Sequence, residues 1–152
     1  MPHAQGMGRE QTLQFPPRLD DSISAENPVR FLDVFVDKLD LQALSFRRVE
    51  AAVEGRPVYH PRDLLKLYLY GYLNRVRWSR CLERQSQCNV EVMWLLKGLT
   101  PDHKTIADLR KGHPKALRQV FRECIELCKA LKLFGGEIVA MDGSKFLAVI
   151  SS

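Results

Sequence analysis

The run His60-Pro61-Arg62-Asp63-Leu64-Leu65-Lys66-Leu67-Tyr68-Leu69-Tyr70-Gly71-Tyr72-Leu73-Asn74 sets the architecture of the chain. Proline suits the first helical position, because its missing N–H has no partner there anyway. From Pro61 the pattern predicts a helix to about Arg75. Leu64, Leu65, Leu67, Tyr68, Leu69, Tyr72 and Leu73 leave little of its circumference polar, as expected of the central helix of a bundle. Gly71 falls inside this pattern and predicts close approach of a neighbouring element rather than a break. Tyr68, Tyr70 and Tyr72 fit either a core or a set of aromatic platforms for stacked bases.

Working outward, residues 1–25 are polar, carry Phe15-Pro16-Pro17 and show no core periodicity before Ser24, which reads as a loosely ordered arm. Asn27-Pro28 opens a helix with Asn27 as N-cap. Phe31, Leu32, Phe35, Val36 and Leu39 form its apolar face, whereas Asp33, Asp37, Lys38 and Asp40 read as solvated. A short helix near Leu41–Phe46 is compatible with the pattern. Beyond the central helix, Ser79 is an expected N-cap for a helix to about Gln87, and Val90 to Lys97 form another, closed by Gly98. Thr100 or Asp102 caps a helix over Lys104–Lys111. A last helix runs from Pro114 to about Leu133, with Leu117, Val120, Phe121, Cys124, Ile125, Cys128 and Leu131 facing inward.

After Gly135-Gly136 the character changes. Glu137-Ile138-Val139-Ala140-Met141-Asp142 is a short apolar strand ending in a carboxylate, followed by Gly143-Ser144 and a second β-prone run to Ile150. This predicts a β-hairpin with Asp142 at its tip, a placement that turn preference alone also explains. The expected fold class is therefore mainly α: a helical bundle with helix-turn-helix-like character, plus a C-terminal β-hairpin. The expected division is an arm over 1–25, a helical domain over 26–133 and a separate start at 134–152.

The chain has 152 residues, enough for one ordinary domain with a real core, and no apolar run approaches a membrane span. No secretory signal is apparent, so a cytoplasmic location is expected, without membrane partners. Cys81, Cys88, Cys124 and Cys128 lack the spacing of common zinc motifs, and Cys124 and Cys128 suit a helical core. His60, His103 and His113 stand at helix starts and ends rather than in a ligand set. Charge is more informative. Residues 56–132 hold 16 Lys and Arg against 7 Asp and Glu, a local +9, although the whole chain carries only +5. Such a concentration favours a polyanion, because phosphate neutralisation releases condensed counterions. The cations nearest the expected helix turns are the candidate DNA contacts: Arg75, Arg77, Arg80, Arg84, Lys104, Arg110 and Lys111. Arg80 and Arg84 are four apart and share a helical face.

His60 to Asn74, Asn89-Val90-Glu91-Val92-Met93-Trp94-Leu95-Leu96, Pro101 to Lys111 and Asp142-Gly143-Ser144-Lys145-Phe146 occur in that order. Together they closely resemble the N-terminal part of bacterial insertion-sequence transposases with a DDE catalytic triad, the transposase InsH N-terminal domain family. The resemblance covers roughly residues 10 to 148. It implies that the hairpin begins an RNase H-like sheet, and that Asp142 is the first triad member and a metal ligand. The second Asp and the Glu would lie beyond Ser152.

It also implies Mg²⁺ or Mn²⁺ in the full-length enzyme, two such ions stabilising the attacking and leaving oxygens of phosphodiester transfer. None is expected to be held productively by this chain alone. Glu137 precedes Asp142 by five residues on the same strand and so faces the other way. Glu91, Asp102 and Asp108 are explained by capping and surface roles. The expected function is the DNA-binding portion of a transposase, with transposon ends as partner and either a second copy or a separately encoded catalytic half supplying chemistry. A non-catalytic regulator that inhibits the full enzyme, or a decayed fragment, are alternatives.

Overall fold

The computed structural model describes residues 3–12, 18–46 and 59–132. Among them are six α-helices and no strand: α1 (Val29–Asp37), α2 (Pro61–Leu73), α3 (Ser79–Cys88), α4 (Val90–Leu95), α5 (His103–Gly112) and α6 (Pro114–Leu131). The expected hairpin, with Asp142, lies outside the described residues, and no helix within them is long and apolar enough to cross a membrane.

Local chemistry explains each boundary. Asn27 Oδ1 accepts from the Val29 amide at 2.9 Å just ahead of α1, although the N-cap position itself falls to Pro28 rather than Asn27. His60 Nδ1 caps α2, accepting from Arg62 N at 3.0 Å ahead of Pro61. Asn89 caps α4 and Asp102 caps α5, the latter through both the amide and the hydroxyl of Thr105. At α3 the expectation is corrected: Ser79 is the first helical residue, and the N-cap Trp78 supplies no side-chain cap. Residues 41–46 form hydrogen-bonded turns rather than a helix, with Leu41 and Phe46 pointing into the core.

Helix α2 is the hub. Ten of its residues from Pro61 to Leu73 are buried, including Tyr68 and Tyr70, which excludes these two as exposed stacking platforms. Instead the Tyr68 hydroxyl donates to the carbonyl of Ile106 in α5, and Tyr70 donates to Glu91 at 3.0 Å in α4. Burial pushes Tyr70 and Tyr72 up to about 12.

The buried Lys66 is the main departure from a simple apolar pattern. Its Nζ lies 2.6 Å from Asp33 Oδ1 and 2.9 Å from Asp37 Oδ1 on α1, so these aspartates are not merely solvated. Burial alone would lower the Lys66 pKa, but hydrogen bonds and charge from the two carboxylates outweigh it and the net shift is upward. One helical turn away, Arg62 donates to the carbonyls of Val36 and Leu39 at the end of α1, where free carbonyls favour a cation.

The end of the N-terminal stretch is tied to this core. Leu19–Ser22 form a 3-10 helix and Ile23 is buried. Asp20 Oδ1 accepts from Trp94 Nε1 and from the Arg30 guanidinium, each at 2.9 Å. Arg30 also lies over the Trp94 ring, 5.0 Å from its centroid. In α6 the inward residues are as expected except Leu131, which is exposed because the helix ends there and Lys132 turns left-handed at φ 55°. Cys124 and Cys128 are buried in its inner face, 4.0 Å apart at sulfur.

Candidate nucleic-acid interface

The turn between α2 and α3 fixes the position of most candidate cations. Gly71 lets the chain fold back closely: a Cβ there would meet Leu82 Cδ2 at 2.5 Å and the Val76 carbonyl at 2.7 Å. In that space the Val76 amide donates to the Gly71 carbonyl at 2.6 Å. Asn74 Nδ2 donates to the Tyr70 carbonyl at 2.9 Å, and Arg75 takes a left-handed φ of 62° to close the turn. The turn is thereby over-determined by hydrogen bonds and delivers the chain into α3 in one orientation.

Arg110 reaches the same turn from α5. It donates to the Arg77 carbonyl at 3.1 Å and lies over the Tyr68 ring, 5.4 Å from its centroid. Of the seven candidate cations it alone is half-buried and clamps two elements. The other six are exposed.

Helix α3 turns Leu82 and Ser86 inward, which leaves Arg80 and Arg84 outward on one face. On α5, Ile106 and Leu109 face the core. Lys104 and Lys111, seven residues apart, fall with Asp108 on the exposed side. Arg80, Arg84, Lys104 and Lys111 engage no acidic side chain among the described residues. The two helices are joined by Glu83 Oε2 and His103 Nδ1 at 3.1 Å. The structure therefore links Arg77, Arg110 and the start of α3 directly, leaves Arg75 in the turn, and places Arg80, Arg84, Lys104 and Lys111 on the outer faces of two helices packed together.

Two features escaped the sequence reading. Trp78, beside this turn, is 74% exposed. On α6, Lys115, Arg118, Arg122 and Lys129 are all exposed and follow one stripe at spacings of three, four and seven residues. That spacing is visible in the sequence once the helix is granted.

Asp142 lies outside the described residues, and among those described no three His, Cys, Asp or Glu side chains gather closely enough to hold a metal. Glu91 accepts from Tyr70, Asp102 caps α5 and His60 caps α2, so these groups are engaged locally.

A family model described as "Transposase domain (DUF772)" matches residues 17–112. The match takes in α1 to α5, hence Arg75 through Lys111 of the candidate interface, and stops before α6. No curated protein and no solved structure matches the chain.

Proposed function

We propose, from the premise that this chain belongs to the transposase domain family matched over residues 17–112, that its helical part is a DNA-binding unit acting at transposon ends. The observation that carries the reading is the outward pair Arg80 and Arg84 on α3, unengaged by acids and set beside a turn that Arg110 and Gly71 hold in place. Lys104 and Lys111 extend the positive surface on α5. Guanidinium groups suit phosphate or guanine through their fork geometry, and lysines act as point charges. Short helices joined by tight capped turns suit a reader helix, here α3, in the major groove.

In this reading residues 26–133 grip DNA and residues 134–152 begin an RNase H-like catalytic domain. Asp142 is then its first carboxylate, by the resemblance set out above. Such chemistry takes several carboxylates around Mg²⁺ or Mn²⁺. In this reading residues 1–152 supply DNA binding and one carboxylate, and cutting takes further carboxylates alongside Asp142.

The test is binding of a mixed-sequence duplex followed by fluorescence anisotropy across a salt series. Affinity is expected to fall steeply, log K declining by about 0.9 per phosphate contact for each unit of log salt. Reversing Arg80 and Arg84 to Glu is expected to flatten that slope with helicity unchanged. No binding at low salt, or the same slope in the variant, would show that the face is misassigned.

A further inference from the structure

The two tryptophans of this chain are used in opposite ways. Trp94 is packed against the core, its Nε1 donates to Asp20 and Arg30 lies over its ring. Trp78 is 74% exposed, and its indole makes no hydrogen bond, ring contact or cation–π contact among the described residues. A large aromatic side chain left in water forgoes the stabilisation that burial brings.

Its backbone, by contrast, is firmly held. Trp78 is the extended N-cap of α3, at φ −88° and ψ 137°, and its carbonyl accepts from the Leu82 amide at 2.9 Å. The preceding residue, Arg77, is pinned by Arg110, and the residue before that is bonded to Gly71. A rigid mount presenting an unsatisfied indole is preorganised for a contact, since little ordering remains to be done on binding. The surroundings specify the partner. From Asn74 to Leu82 the chain carries Arg75, Arg77 and Arg80 and no acidic residue. An aromatic face among cations matches a base beside its phosphates, because any base offers a π-face.

We infer that Trp78 is a base-stacking residue, taking an unpaired or terminal base of the DNA while the neighbouring arginines hold the phosphates. This rests on the DNA-binding reading above and deepens it by assigning a contact to the base itself.

Binding is measured on two probes with equal phosphate number, one a blunt duplex and one with an unpaired base. Wild-type chain is expected to prefer the unpaired-base probe. Trp78→Ala should weaken binding to that probe roughly 5- to 150-fold, the range of a lost base–aromatic stack, and leave the salt slope unchanged. Trp78→Phe should retain most of the preference. Because the side chain is exposed, the melting temperature of either variant should match wild type. Quenching of indole emission in a Trp94→Phe background would report the stack directly.

If Trp78→Ala binds both probes as wild type does, or loses salt slope together with affinity, the stacking assignment is overturned. If that happens while reversal of Arg80 and Arg84 still flattens the slope, the DNA-binding reading survives it. Should neither variant alter binding, both fail.

Discussion

Arg110 of α5 donates to the backbone carbonyl of Arg77 across 3.1 Å, so a cation that could face DNA is spent on holding another one in position. It also covers the Tyr68 ring. Arg110→Ala should therefore act on stability as well as binding. Loss of a charged hydrogen bond and a cation–π contact is expected to cost about 1–2 kcal/mol in urea unfolding. The DNA salt slope should change by less than in the Arg80/Arg84 reversal. A stability equal to wild type would mean that the clamp contributes nothing.

The stripe on α6 gives a second expectation. From Lys115 through Arg118 and Arg122 to Lys129 the stripe climbs 14 residue steps, roughly 21 Å of helix at 1.5 Å per residue. That is long enough to follow several phosphates of one duplex. Reversing Arg118 and Arg122 to Glu should lower affinity for all duplex sequences alike and reduce the salt slope by roughly 2. A change confined to some sequences would point to base reading instead.

Lys66 should make the fold sensitive to alkali and to truncation. Its folded pKa is raised, so its stabilisation is complete below the unfolded lysine value and is lost as pH rises through the folded one. Tyr70 and Tyr72 act in the same range. Raised from 10.0 to about 12 by burial, they resist ionisation in the folded state, so stability falls as pH climbs between those values. Thermal unfolding should be flat through neutrality and decline above about pH 10, with phenolate absorbance rising as the fold is lost. Lys66→Met should cost about 2–3 kcal/mol. This is less than the roughly 3–5 expected of a fully buried pair, because Asp37 keeps half its side chain in water.

A fourth expectation concerns chemistry. Residues 1–152 with Mg²⁺ or Mn²⁺ should leave supercoiled plasmid intact, neither nicked nor joined, since the role proposed for Asp142 makes it one carboxylate of a reaction that takes several. Cleavage that disappears in Asp142→Asn would falsify this and show that the chain, alone or with its own copies, assembles the remaining ligands.

Much of the bundle was legible because its signals are local. Asp102 caps α5 as expected, Asn27 bonds the first turn of α1, and Pro61 and Pro114 open helices whose apolar periodicity is strong, whereas the caps His60 and Asn89 went unnamed. Gly71 announced a close approach, although its partners Leu82 and Val76 could not be named in advance.

What stayed hidden depends on pairing across the chain. Asp33 and Asp37 look like surface acids until Lys66, 33 residues from the first of them, is folded against them. Arg110 looks like a surface cation until Arg77 comes within reach. Leu131 obeys the helical period yet is exposed, since the period says nothing about where packing ends. The exposure of Trp78 was hidden for a related reason, since only the fold shows that its position points outward.

The Trp94–Asp20 hydrogen bond spans 74 residues of sequence and has a consequence for the order of assembly. A ribosome adds about 5–20 residues per second, so Asp20 exists for roughly 4–15 s before Trp94 is made. Arg30, only ten residues on, can hold Asp20 during that interval, and Lys66 can join α1 to α2 before α4 emerges. Of these three contacts the last to close is the one that seats the 3-10 helix against the indole. Assembly during synthesis should thus run from a nascent α1–α2 pair toward α4, with the amino-terminal segment waiting, already bent by Arg30, for its distant partner.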